Sequence, residues 1–126
     1  MNSVIELLGR IFLGHIFLLA GINKLGAGYA GTAGYMNSMG VPGELLPVVI
    51  AVEIIAGLMV IVGFKAKWAA YALAGFSVIA GLIFHSNFAD QMQMILFMKN
   101  ISIAGGLLLL SVHGAGNLSI DNRLMK

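Results

Sequence analysis

Three charged side chains stand inside long apolar runs: Arg10, Glu53 and Lys99, with His15 in the same run as the first. A charge at the centre of a membrane helix costs about 2.5–3.5 kcal/mol to insert, so such groups are expected to face one another. At the helical rise, Arg10, Glu53 and Lys99 fall ~9, ~15 and ~21 Å from one edge of the membrane. Long basic side chains bridge such gaps, and the expectation is an ionised Glu53 paired with Arg10, Lys99 or both. His15, at ~16 Å, is the titratable neighbour of Glu53. Such a cluster serves either as a polar clasp that sets helix register, or as a pocket for a polar ligand head or a proton relay.

Other chemistries fit less well. The three histidines, His15, His85 and His113, fall at different depths, ~16, ~27 and ~0 Å, so no two form a haem ligand pair within the chain. Glu53 and His15 alone are too few ligands for a metal. Zero cysteines exclude disulfides, thiolate metal sites and iron–sulfur clusters in this chain. No intrinsic cofactor is therefore expected. Gly26-Ala-Gly28-Tyr-Ala-Gly31 has the spacing of a dinucleotide loop, but it follows a membrane helix instead of a strand. Asn100-Ile-Ser102 has the form of a glycosylation acceptor but lies within an apolar span.

The elements that must position these groups follow from composition. Of 126 residues, 60% are hydrophobic and 10% charged, against about 25% charged in a soluble domain. A soluble enzyme and a nucleic-acid binder are excluded; the lipid bilayer is the expected surrounding. Four apolar stretches, about 4–24, 44–64, 68–85 and 93–113, each match the ~20 residues that cross a bilayer. Strand-like alternation is absent, so the expected fold class is all-α: an integral membrane four-helix bundle in a single domain, 1–126. The first stretch has the form of a signal peptide, Arg10 preceding an apolar run. Against that, Glu6, Arg10, Gly14, Phe17, Gly21 and Lys24 share one helical face, a pattern suited to a permanent packed helix.

The linker 25–43 is long and glycine-rich, with room for a short interfacial helix over Thr32–Met39. Ala70, Ala74, Ser77 and Gly81 form a small-residue stripe suited to close helix packing. Gly14, Gly57, Gly105 and Gly106 suit packing as well, and Gly57 and Gly106 would also open space beside the charges for a flat ring. Lys65, Lys67, Arg123 and Lys126 gather on one side of the membrane, which makes both termini cytoplasmic and the linker extracytoplasmic.

With these pieces in order, the chain resembles the DoxX family of small membrane proteins. The string Arg10…Gly14…Phe17…Gly21…Lys24 is followed by Tyr35…Gly40-Val-Pro42 and Glu53…Gly57…Gly63. Phe97-Met-Lys99-Asn100-Ile-Ser-Ile-Ala-Gly105-Gly106 and the tail Gly114-Ala-Gly116-Asn-Leu-Ser119-Ile-Asp121 complete the likeness. The resemblance implies a multi-pass protein of the bacterial inner membrane, with Arg10, Glu53, Lys99 and Asn100 on the family's polar positions. Some relatives are membrane subunits of thiosulfate:quinone oxidoreductase, and others are linked to quinone and thiol stress.

The resemblance thus implies an oxidoreductase subunit with quinone as its candidate cofactor and a redox subunit or a second copy as candidate partners. Arg10, His15, Glu53 and Lys99 would surround the quinone head, donating protons in an apolar slot. The alternative is a non-catalytic anchor or assembly subunit. A small transporter fits less well, because two candidate cations beside the acid would cancel its attraction for a cationic drug.

The charge distribution generates a test of orientation. Single cysteines at Ser3, Asn37 and Asn122 can be probed from outside intact spheroplasts, and only the residue 37 variant should react. Labelling at residue 122 would overturn the orientation.

Overall fold

The computed structural model describes residues 2–124. Its helices are α1 (Asn2–Asn23), α2 (Tyr29–Ser38), α3 (Gly43–Val62), α4 (Ala66–Phe84), α5 (Gln91–His113) and α6 (Ile120–Leu124). No strand occurs among the described residues. Of these helices, α1, α3, α4 and α5 are long and apolar enough to cross a membrane. The protein is thus an all-α bundle of four spans. Large apolar side chains such as Phe12, Ile55, Ile79, Leu109 and Val112 are exposed on the isolated chain. In a bilayer that surface faces lipid tails, which are as apolar as the side chains themselves.

Two helix pairs build the bundle: α1 lies along α3, and α4 along α5. The expected face of α1 is the buried one, through Arg10, Gly14, Phe17 and Gly21. Gly14 sits against Ile61 and the carbonyl of Gly57, while Gly57 sits against the carbonyl of Gly14 and the backbone of Leu18. Gly21 meets Glu53 and Ile54. A side chain at any of these glycines would push the backbones apart, so they act as contact points in van der Waals packing. Gly57 is therefore spent on the α1–α3 contact and opens no space for a ring. Gly106 likewise faces Leu13.

In the second pair, Gly81 adjoins Asn100 and Phe97, and Asn100 Nδ2 donates to the carbonyl of Ser77 at 3.1 Å. The small-residue stripe of α4 is buried throughout. Phe17, Val60, Leu73 and Leu107 close the core between the pairs.

The linker departs from expectation. Its helix begins at Tyr29, straight after a 3-10 turn over Gly26–Gly28. It also belongs to the bundle: Met36 is buried with Leu46 and Ile50, and the Tyr35 ring stacks on Phe84 at 5.5 Å. The apolar side of this short helix has somewhere to go because α3 extends beyond the end of α1, offering Leu46, Val49 and Ile50.

The opposite end is closed by the C-terminal tail. Gly63, at φ +75°, ends α3 in the left-handed conformation that glycine adopts at no steric cost, and its N–H donates to Met59. Lys65 follows at φ +46°. This tight turn is held by Asp121, whose carboxylate accepts from the N–H groups of Lys65 and Ala66 at 2.5 and 2.9 Å. Asp121 N–H in turn donates to the carbonyl of Gly63 at 2.8 Å. Asp121 therefore satisfies N-terminal donors of α4 from 55 residues away. Asn117 reaches Ser3 at 3.3 Å, so both terminal segments lie at this end.

Replacing Asp121 by Ala should lower stability by about 1–2 kcal/mol, at the upper part of the range for lost helix caps, because two donors are orphaned. Unfolding in detergent measures this, and an unchanged midpoint would show that the tail does not hold the turn.

Candidate functional site

Charge and cavity come together at the α2 end of the bundle. A cavity of about 450 Å³ lies between the two helix pairs and beneath α2. Its walls are mostly apolar, from residues such as Ile16, Phe17, Val49, Phe76 and Ile83. Polar groups enter it from every direction: Lys24 at the end of α1, Thr32 and Tyr35 on α2, Glu53 on α3, Ser77 on α4 and His85 just after it, and Lys99 and Asn100 on α5. Ile79 and Lys99, both on its lining, are exposed on the isolated chain, so the cavity is reachable from outside. α1 and α5, which touch only sparingly, leave this part of the bundle loosely closed.

The acid at the centre of the expected cluster has a different partner from the expected ones. Glu53 Oε1 pairs with Lys24 Nζ at 2.6 Å. The Glu53 side chain is 5% exposed and that of Lys24 25%, so the pair sits at the cavity wall, half sheltered. Glu53 lies in a stretch, Val52–Ala56, where the α3 hydrogen-bond ladder widens to the π form. Such turns are frequent at functional sites. Gly21 presses against the Glu53 Cβ one turn before Lys24, which brings the ammonium to the carboxylate.

Arg10 is elsewhere. It is 2% exposed at the terminal end, donating through one nitrogen to the carbonyl of Ile61 at 3.1 Å and through another to the carbonyl of Leu118. Helix stagger is the reason. Arg10 lies level with Gly63 and Gly21 level with Glu53, so about 16 Å of α1 separates the two charges, given 1.5 Å per residue. Depths counted from each helix's own end placed them much closer.

The other expected members divide. Lys99 and Asn100 line the same cavity as Glu53, and Lys99 makes no ion pair or hydrogen bond among the described residues. His15 does not join them: it is exposed on the outer face of α1, and its Nδ1 donates to the Phe12 carbonyl at 2.7 Å. No cluster of three or more metal-ligating side chains occurs among the described residues. His85 enters the cavity wall instead, with Nδ1 3.0 Å from Gln93 Oε1.

Lys24 is the residue that sequence reasoning misplaced. It was not among the expected partners of Glu53, although its place on the face of Arg10, Gly14, Phe17 and Gly21 points inward. Tyr35 and Thr32 carried no such signal, because nothing local shows that α2 folds onto the bundle.

The pairing generates a test by double-mutant cycle. Glu53→Gln and Lys24→Met should each destabilise by about 1–3 kcal/mol, below the ~3–5 kcal/mol of a fully buried pair because Lys24 keeps some exposure. Their double mutant should cost clearly less than the sum, whereas Glu53→Gln and Arg10→Met should combine additively. Additivity in the first cycle, or coupling in the second, would contradict this arrangement.

Comparison with known proteins adds the lineage. The family model described as DoxX matches residues 5–86. Inner membrane protein YqjF of Escherichia coli is 46% identical over 126 residues, covering 100% of this chain and 96% of that protein. Inner membrane protein YphA of the same organism is 35% identical over 129 residues, covering 97% and 91%. No solved structure matches. With four membrane spans, relatives of this closeness and the family match, the chain belongs to the DoxX family and is an integral protein of the inner membrane.

Proposed function

We propose that this protein is the membrane subunit of an oxidoreductase system and that its cavity holds the ring of a membrane-soluble quinone. The observation that carries the reading is the cavity of about 450 Å³, whose apolar walls hold a few convergent polar groups. Ligand pockets run to ~300–1,000 Å³ and have this composition.

The residues fit the group. Lys24 and Lys99 bring ammonium donors to the cavity, and Asn100 keeps one amide N–H beyond the one given to Ser77. These suit the carbonyl oxygens of a quinone ring. The Glu53 carboxylate fixes Lys24 Nζ at the wall and is itself a proton acceptor within reach of the cavity. Phe17, Phe76, Tyr35 and Phe84 offer aromatic faces and edges, and two contacts among them, Phe17–Phe76 and Tyr35–Phe84, hold those rings in place. A bound quinone would supply two-electron acceptance; a partner subunit would supply the electrons.

One observation favours a second reading, a non-catalytic anchor or assembly subunit. Arg10, through two of its nitrogens, and Asp121, through both carboxylate oxygens, hold the backbone of the terminal end together. In that reading the Lys24–Glu53 pair is a second clasp.

Filling the cavity separates the two. In lipid nanodiscs, a short-chain quinone should bind saturably to the protein, and Ala20→Phe or Ala80→Phe should weaken binding by ~10-fold or more, equivalent to 1.4 kcal/mol. Helical content and unfolding midpoint control for folding. Absence of saturable binding, or binding indifferent to both substitutions, would leave the anchor reading.

A further inference from the structure

We infer that the cavity selects rings bearing an ionised acidic oxygen, such as a hydroxyquinone at neutral pH, over uncharged quinones, with Lys99 as the residue that discriminates. This rests on the quinone reading above and narrows its ligand class.

The argument begins with the charges on the wall. Lys24, Lys99 and Glu53 are the formally charged side chains that line the cavity, two cations against one anion. The carboxylate is committed to Lys24 at 2.6 Å. Lys99 is left without a counter-charge among the described residues, and no second carboxylate lines the cavity. The nearest acid along its own helix, Asp90, caps that helix by accepting from Met92 N–H at 3.0 Å. Asn100, next to Lys99, is turned to the Ser77 carbonyl.

Lys99 stands about 12 Å from the start of α5, counted from Gln91 at 1.5 Å per residue. That depth is unfavourable for an unpaired ammonium. Its side chain leans toward the helix N-terminus, and so toward the α2 end, where Lys24 and Glu53 lie. An uncharged quinone accepts hydrogen bonds from this group but leaves its charge in place. A ring with an ionised oxygen neutralises it, adding attraction between two opposite charges to the ammonium hydrogen bond that either ring accepts, and in an apolar setting that attraction is little screened. Glu53 sharpens the choice by neutralising Lys24, so that one anionic oxygen, and no more, balances the cavity.

The alternative is that Lys99 merely extends to the membrane interface with its charge in water. A matched pair of probes decides: 1,4-naphthoquinone and 2-hydroxy-1,4-naphthoquinone, the second ionised at neutral pH. Each is equilibrated by dialysis against the full-length protein in zwitterionic-lipid nanodiscs, with empty nanodiscs subtracted. The hydroxylated probe should bind at least ~10-fold more tightly. Lys99→Met should abolish that advantage while the parent probe still binds, and Lys99→Arg should retain it. Equal binding of both probes, or an advantage that survives Lys99→Met, overturns the inference and leaves the quinone site standing. Binding of neither probe overturns both.

Discussion

The close approach of α1 to α3 at Gly14, Gly21 and Gly57 sets the register on which both charged clusters depend. Where two backbones come within contact distance, the side chains on either side have little freedom to choose partners. Gly14 against Gly57 places Arg10, one turn earlier on α1, beside the carbonyl of Ile61 and the left-handed cap at Gly63. Gly21 against Glu53 places Lys24, one turn later, beside the carboxylate. A single interface made of missing side chains therefore decides which charges meet. Lipid offers no hydrophobic drive for helices to associate, so shape at such contacts carries more of the work than in a soluble bundle.

The two ends of the bundle use charge differently. At the terminal end, charges satisfy backbone. Arg10 supplies donors to two carbonyls, and Asp121 supplies acceptors to two N–H groups at the start of α4. Ile61, Lys65 and Ala66 sit at or next to helix ends, where the backbone lacks intrahelical partners, and Leu118 lies in the tail just before α6. At the α2 end, one charged pair faces a cavity, and a second lysine beside it has no ion pair among the described residues. The first arrangement commits its charges to backbone groups. The second keeps polar groups exposed to an apolar volume, which is the condition under which they bind a ligand.

The helix over the linker connects these points. Because α2 buries Met36 against Leu46 and Ile50, it roofs the cavity with Thr32 and Tyr35 instead of lying apart on the membrane surface. The π turn beneath it carries Glu53. The wall of the cavity is thus built from all four spans and from the linker, so no one helix holds the site.

Much of this was legible in the sequence, and the limits have a physical origin. Composition and the length of four apolar runs determine an all-helical, four-span membrane protein, because lipid leaves backbone groups no other partners. Helical periodicity picks out the packed face of α1, since Arg10, Gly14, Phe17 and Gly21 recur once per turn. The rule that buried charges seek partners gives Glu53 a cation. Which cation it takes is outside that rule. Depth counted along a helix is measured from that helix's own end, and the offset between α1 and α3 is set by interlocking glycines on two separate segments. The same holds for Asp121, which caps a helix 55 residues away, and for Tyr35, which stacks on Phe84 across the bundle. Local order follows from local forces, and the sequence carries it; partners across the bundle follow from helix stagger, which only the folded packing decides.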